Sequence, residues 1–78
     1  PGRFIVLGDR GDTVLLLQQQ LNRIAAQDPD IPTVAEDGIF GRGTQAAVLA
    51  LQRKLGIDPT GAVGPVLWAE IVTQGAGY

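Results

Sequence analysis

The residues of this chain that could carry out chemistry are few, and most are acids. Glu36 and Asp37 are adjacent carboxylates, and a carboxylate pair hydrolyses a glycosidic bond when its members flank that bond. The chemistry needs a deep cleft that separates the carboxyls by roughly 5 Å or 6.5–9.5 Å, and 78 residues leave little room for one. Asp37 also directly precedes Gly38, a place where an aspartate accepts backbone N–H bonds in a turn. We therefore interpret Asp37 as a turn former and predict no catalytic residue.

Metal and nucleophile chemistry have little support in the sequence. The chain lacks His, Cys, Ser and Met, which excludes a Ser–His dyad, a histidine base and thiolate or imidazole metal ligands. Four acids lie near one another in the sequence: Asp28, Asp30, Glu36 and Asp37. They do not follow the D-x-D-x-D-G spacing with a glutamate at position 12 that a calcium loop uses. We predict neither a metal site nor a cofactor.

Three side chains are candidates for binding a ligand: Arg10, Arg42 and Trp68. Arg10 directly precedes Gly11 and Arg42 directly follows Gly41, so the two arginines occupy similar places in two loops. A guanidinium can hold a carboxylate through two parallel hydrogen bonds, and an exposed indole can stack on the apolar face of a sugar. The alternatives are solvated loop charges for the arginines and core packing for Trp68. The sequence leaves both interpretations open.

Charge and hydropathy exclude several classes of partner. The formal net charge is -2 and there is no basic stripe, so neither nucleic acid nor an anionic membrane is an expected partner. The apolar runs, such as that from Val14 to Leu17, are too short to span a bilayer. The sequence begins at Pro1 without a basic or apolar leader, so we expect any export signal to lie outside this fragment.

Internal repeats indicate the elements that position the candidate residues. The pattern V-L-x-L-Q-x-x-L occurs at residues 14–21 and again at 48–55. A Gly-x-x-Gly pattern occurs at residues 8–11, 38–41 and 61–64. Glycine suits both a turn with positive φ and a helix N-cap, so each glycine pair is typical of a loop that leads into a helix. We predict N-caps at Gly11, Gly41 and Gly64, with Pro65 as the first residue of its helix, and positive φ at Gly38 and Gly61.

The apolar spacing predicts an all-α fold, a small closed three-helix bundle with long ordered loops. The expected helices cover residues 12–26, 42–55 and 65–73. The expected buried residues are Leu17, Leu21, Val48, Leu51, Leu55, Leu67 and Ile71. Leu16 falls outside this apolar stripe, while Gln18 and Gln52 lie at its edge, where an amide can tie a loop to the helix.

The domain organisation is predicted to be simple. We expect residues 1–78 to form a single monomeric domain with a core at 4–73 and linker remnants at 1–3 and 74–78.

Two prolines between the first two helices, at positions 29 and 32, predict an ordered loop there, pinned by Ile31 and Val34.

Three blocks of sequence resemble a known family. They are Leu7-Gly8-x-x-Gly11-x-x-Val14-x-x-Leu17-Gln18-x-x-Leu21, then Asp37-Gly38-Ile39-Phe40-Gly41-x-x-Thr44-x-x-Ala47-Val48-x-x-Leu51-Gln52, and Thr60-Gly61-x-Val63-Gly64-Pro65-x-x-Trp68. The blocks resemble the peptidoglycan-binding-domain-like family, a three-helix fold appended to cell-wall hydrolases and related surface proteins. Two features depart from the family pattern: a longer loop at residues 28–36, and leucine at positions 51 and 67, where the family often has Phe and Thr.

The resemblance implies a function. It implies a non-catalytic module that binds the glycan strand or stem peptide of peptidoglycan, with Arg10 and Arg42 on stem-peptide carboxylates and Trp68 on a sugar ring. The module would tether a larger bacterial protein, such as a wall hydrolase, through covalently linked domains or tandem copies, outside the cell or in its wall. The alternative is a structural or protein-interaction spacer, or a pro-segment, of the same fold. A stand-alone wall hydrolase is a third and weaker interpretation.

Overall fold

The computed structural model describes residues 3–76 and contains three helices. α1 is Asp12–Gln27, α2 is Arg42–Leu55 and α3 is Pro65–Ala76. The first two helices confirm the predicted bounds to within one residue. The predicted end of the third at residue 73 is wrong, because residues 74–76, expected to be linker, form its last turn. The predicted linker residues 1–2 and 77–78 lie outside the described residues.

The starts of the helices follow the predicted glycine chemistry. Gly11 and Gly41 are the N-caps of α1 and α2, and Pro65 is the first residue of α3, where its missing N–H has no intrahelical role. The predicted positive φ is confirmed at Gly38 (73°) and Gly61 (80°). A side chain with a Cβ is strained at such angles, so both turns favour glycine.

The ends of α1 and α2 have local causes. Asp28 follows α1 in an extended conformation, which is the conformation that the next residue, Pro29, favours in its predecessor. α2 is followed by Gly56, whose φ of 75° is left-handed and whose N–H donates to the Arg53 carbonyl at 3.1 Å.

The core forms where α1 packs against α3 and, less extensively, against α2. Its buried side chains are Ile5, Val14, Leu17, Leu21, Ile24, Ile31, Phe40, Ala47, Val48, Leu51, Val63, Leu67 and Ile71. Leu55, which the apolar stripe placed in the core, is only partly buried at the C-terminal end of α2. Leu16 is exposed, as its position outside the stripe predicted. None of the helices within residues 3–76 has the length and apolar character needed to cross a membrane.

The N-terminal segment, residues 3–10, crosses the loops that lead into α2 and α3. It makes isolated antiparallel pairings of Ile5 with Val63 and of Arg10 with Ile39, and residues 3–76 contain no strand beyond these bridges. Ile5 and Val63 exchange two backbone hydrogen bonds of 2.8 Å each. The segment therefore fixes both loops relative to each other.

The long loop between α1 and α2 is ordered by side chains, as the sequence predicted. Ile31 is buried in the core and Val34 packs against it. The Asn22 amide donates to the Val34 carbonyl at 2.9 Å and accepts from the Val34 N–H at 2.8 Å. The Asn22 side chain thus satisfies both backbone groups of Val34, as a neighbouring β-strand would.

Candidate functional site

The loops that lead into α1 and α2 are joined by backbone hydrogen bonds. The N–H of Gly11 donates to the Gly38 carbonyl at 2.9 Å, and the N–H of Phe40 donates to the Asp9 carbonyl at 2.8 Å. The N-termini of α1 and α2 consequently meet at one corner of the molecule.

Arg10 and Arg42 both lie at this corner and both are exposed. The backbone of Arg10 pairs with Ile39, three residues before Arg42, which is the first residue of α2. Within residues 3–76, neither guanidinium takes part in an ion pair. Their donors therefore remain accessible to a ligand.

Trp68, the third predicted binding residue, has a different setting. It lies in the first turn of α3, where its backbone N–H donates to the Gly64 carbonyl at 2.8 Å. Its side chain is partly buried and packs against the core. No hydrogen bond in the described part of the chain links Trp68 to either arginine. The ring thus combines a packing role with some remaining exposed surface.

Gln18 holds the turn that precedes α2. Its Nε2 shares two hydrogens among three acceptors: Asp37 Oδ1 at 3.0 Å, the Ile39 carbonyl at 2.9 Å and Thr44 Oγ1 at 3.1 Å. Its Oε1 accepts from the Gly38 N–H at 2.8 Å. The side chain is fully buried, which confirms the structural role predicted for this amide.

Gln52 holds the turn that precedes α3 in the same way. Its Oε1 accepts from the Gly61 N–H at 2.9 Å, and its Nε2 donates to Thr60 Oγ1 at 3.1 Å and to the Ala62 carbonyl at 3.2 Å. The repeated V-L-x-L-Q-x-x-L pattern therefore corresponds to a repeated contact, in which each helix fixes the turn that precedes the next.

The adjacent carboxylates, Glu36 and Asp37, are hydrogen-bond acceptors. Asp37 Oδ1 accepts from the Ile39 N–H at 3.0 Å, which confirms its predicted role in a turn. This backbone bond, followed by that from Gln18, holds the pKa of Asp37 below its ordinary value. Glu36 accepts from the Asn22 amide at 2.8 Å. A general acid at neutral pH needs a raised pKa, so the electrostatics of Asp37 oppose that role.

Metal-ligating residues are dispersed. In the described part of the chain, no three His, Cys, Asp or Glu residues are grouped so that they could hold an ion. Lys54 lies between two of the loop acids, 3.0 Å from Asp28 Oδ2 and 2.9 Å from Asp30 Oδ2. These acids are therefore partnered by a cation of the chain itself.

An apolar groove of about 400 Å³ is a feature that the sequence interpretation missed. We call it the α3 groove; its apolar lining includes Phe4, Leu55, Ile57, Ala62, Pro65 and Val66. Val66 could have indicated the groove from the sequence. It is an apolar residue of α3 that lies outside the inward face formed by Leu67 and Ile71, so an exposed apolar side chain was to be expected there.

A second depression, of about 520 Å³, is polar and runs along α1. We call it the α1 depression; it is lined by Gln19, Gln20, Asn22, Arg23, Ala26 and Glu36. The α3 groove is apolar and the α1 depression is polar. Both are distinct from the corner at which Arg10 and Arg42 lie, which we call the arginine corner.

A solved structure shares this fold over nearly its whole length. The chain matches the crystal structure of the SleB N-terminal domain with a TM-score of 0.77 and 28% sequence identity, over 96% of each chain. Since each chain covers the other almost completely, the likeness extends to nearly the whole domain.

Sequence comparison agrees with the structural match. An uncharacterized protein in the bpoA1 3' region of Kitasatospora aureofaciens is 43% identical over 67 residues, which are 85% of this chain. The match spans 52% of that relative, so the chain spans about half the length of the curated relative. Residues 10–71 match the family described as "Putative peptidoglycan binding domain", and these residues contain α1, α2 and the first seven residues of α3. The chain belongs to this peptidoglycan-binding domain family.

Proposed function

We propose that this module binds cell-wall peptidoglycan without catalysing its cleavage, and that it tethers a larger extracellular or wall-associated protein. Membership of the family supports peptidoglycan as the ligand. The likeness to the SleB N-terminal domain supports the same conclusion at the level of structure. A single weak site would gain strength from a linked domain or a second copy, because linkage raises the effective concentration.

The arginine corner is the proposed contact for peptidoglycan carboxylates. The observation that carries this proposal is the placement of Arg10 and Arg42 on two hydrogen-bonded loops, with no ion pair to either among residues 3–76. A guanidinium fork suits a planar carboxylate, and two forks at one corner suit a stem peptide with more than one carboxylate. The exposed part of Trp68 would contact a neighbouring sugar ring.

The test is retention of the purified domain on purified sacculi. Arg10→Ala and Arg42→Ala should each weaken binding by about five- to a hundredfold, because a charge-assisted hydrogen bond is lost. Added salt should weaken the binding of the unaltered domain as well. Arg53→Ala is the matched control, since Arg53 is exposed at the far end of α2. Thermal unfolding should show that the variants remain folded.

Trp68 supplies a second readout, because it is the only tryptophan of the chain. Soluble muropeptides should change its fluorescence if the ring contacts the ligand. Full retention of the Arg10→Ala, Arg42→Ala double variant on sacculi would contradict the arginine proposal. Absence of any retention of the unaltered domain would instead favour a structural spacer.

A further inference from the structure

Three exposed apolar side chains lie together in the α3 groove. Phe4 is 60% exposed, Ile57 is 46% exposed and Val66 is 86% exposed, and all three line it. Single exposed apolar residues are ordinary on protein surfaces, but a contiguous group marks a binding surface. The volume of about 400 Å³ is within the range of small-ligand sites.

The groove has a fixed wall. The Phe4 ring lies so close to the backbone of Gly64 that a Cβ at that position would be 2.7 Å from Phe4 Cε2. The adjacent Ile5 is held by its backbone pairing with Val63. The ring is thus positioned before any ligand arrives, which lowers the entropic cost of binding.

The polar groups of the groove are largely engaged within the protein. Thr60 Oγ1 accepts from Gln52 Nε2 at 3.1 Å and from the Ala62 N–H at 3.2 Å. The Gln52 amide is committed to the turn before α3. Sugar hydroxyls placed here would lose hydrogen bonds to water without adequate replacement, so the groove disfavours a glycan strand and favours aliphatic groups.

Glu70 is the one ionisable residue in the lining and gives the groove a charge preference. Gln74 Nε2 donates to Glu70 Oε1 at 2.9 Å, and no cation of residues 3–76 forms an ion pair with this carboxylate. The complementary occupant therefore carries a positive charge next to small apolar groups.

We propose that the α3 groove binds the stem peptide of peptidoglycan, with alanine methyl groups against Phe4 and Val66 and the side-chain ammonium of the diamino acid beside Glu70. This assignment rests on the proposed peptidoglycan binding and adds a second contact to it. The arginine corner selects carboxylates, whereas the α3 groove selects an amine. The two sites are therefore separable by the charge of the peptide.

The test is an amide NMR titration of the isotope-labelled domain with two synthetic peptides. One is L-Ala-γ-D-Glu-L-Lys-D-Ala, and the other is identical except for an acetylated lysine amine. Shifts should occur at Ile57 and Val66, and the free-amine peptide should bind about two- to fivefold more tightly, the scale of an exposed ion pair. Glu70→Gln should abolish this difference between the peptides.

Val66→Ser tests the apolar contact separately. It should weaken the binding of both peptides by about five- to tenfold, because less apolar surface is buried when the peptide binds. Leu16→Ser is the matched control, an exposed leucine of α1 outside the groove, and it should bind both peptides as the unaltered domain does.

Several results would overturn the assignment. Peptide-induced shifts confined to the α1 depression or the arginine corner, with sacculus binding intact, would refute the groove and leave the proposed function standing. Shifts at Ile57 and Val66 that depend on protein concentration alone would identify a second copy of the chain as the occupant. If the unaltered domain bound neither sacculi nor the peptides, both the proposed function and the assignment of the stem peptide to the α3 groove would be refuted.

Discussion

Gln18 and Gln52 show how much a single buried amide contributes to this fold. Each side chain reaches from a helix to the turn that leads into the next helix, and each satisfies the N–H of a glycine with positive φ. Both are buried, at 0% and 3% exposure. A buried backbone group without a partner is costly, so these amides stabilise the turns more than an apolar residue of the same size would.

Replacement of Gln18 by leucine should destabilise the domain severely. The change leaves the Gly38 N–H without its partner and removes one of the two donors to the Ile39 carbonyl, which keeps the Gly41 N–H. We expect a cost of about 2–5 kcal/mol in the free energy of unfolding. Urea unfolding measures this cost. Gln19→Leu is the matched control on the exposed face of α1, with an expected change within about 0.5 kcal/mol. Equal stability of the two variants would contradict the role assigned to Gln18.

At the scale of elements, the α1–α2 loop is attached to α2 by charge. Lys54 bridges Asp28 and Asp30 from the last turn of α2. The backbone bond from Asp30, followed by the Lys54 side-chain bond, lowers the pKa of Asp28 below its ordinary 3.8. Bonds to Asp30 and then Asp28 raise the pKa of Lys54 above its ordinary 10.5. Both shifts mean that the folded state favours the charged forms.

The stabilisation by this bridge should depend on pH. The lowered pKa of Asp28 stabilises the fold above the ordinary value of 3.8, and this contribution is lost as the pH falls through the folded-state pKa. The raised pKa of Lys54 stabilises the fold below 10.5, and its contribution is lost as the pH rises through the folded-state pKa. Lys54→Met should therefore lower the Tm most at pH values between these limits.

Circular dichroism melts over a range of pH and salt would measure the effect. As the pH falls through the folded-state pKa of Asp28, and in about 1 M salt, the Tm difference between Lys54→Met and the unaltered domain should shrink, since Asp28 is protonated or the charges are screened. Arg53→Met is the matched control, because the adjacent Arg53 forms no ion pair within residues 3–76. A Tm difference independent of pH would indicate a packing role for the lysine stem instead.

At the scale of the whole molecule, one small core supports three helices and two long loops. A chain of this size has a total stability of about 4–12 kcal/mol. Leu51 is 1% exposed and lies in the core with residues of α1 and α3. Truncation of a single large core side chain should therefore remove a substantial part of the free energy of unfolding.

Leu51→Ala should reduce the free energy of unfolding by about 2–5 kcal/mol, through lost apolar burial and an unfilled cavity. Denaturant unfolding of the isolated domain provides the measurement. Leu16→Ala is the comparison, because Leu16 is 41% exposed and its truncation opens no cavity. An unchanged midpoint for Leu51→Ala would contradict the packing described above.

The sequence predicted helices and turns well because their causes are local. Glycine caps, Pro65 at a helix start and apolar spacing act over a few neighbouring residues, and the structure follows them. The α3 groove was missed because it joins Phe4 to Ile57 and Val66, which are distant in sequence. Leu55 was misplaced for a related reason, since helical spacing fixes the direction of a side chain but not whether a neighbour covers it.

The pairing of Ile5 with Val63 has a consequence for when the domain can fold during its synthesis. Synthesis proceeds from the N-terminus, so Ile5 leaves the ribosome long before the residue that completes its hydrogen bonds. Contacts between distant parts of a chain also slow folding, because a large loop must close before they form. Nascent chains arrested before residue 63 should consequently remain protease-sensitive, and protection should arise only after the start of α3 has emerged.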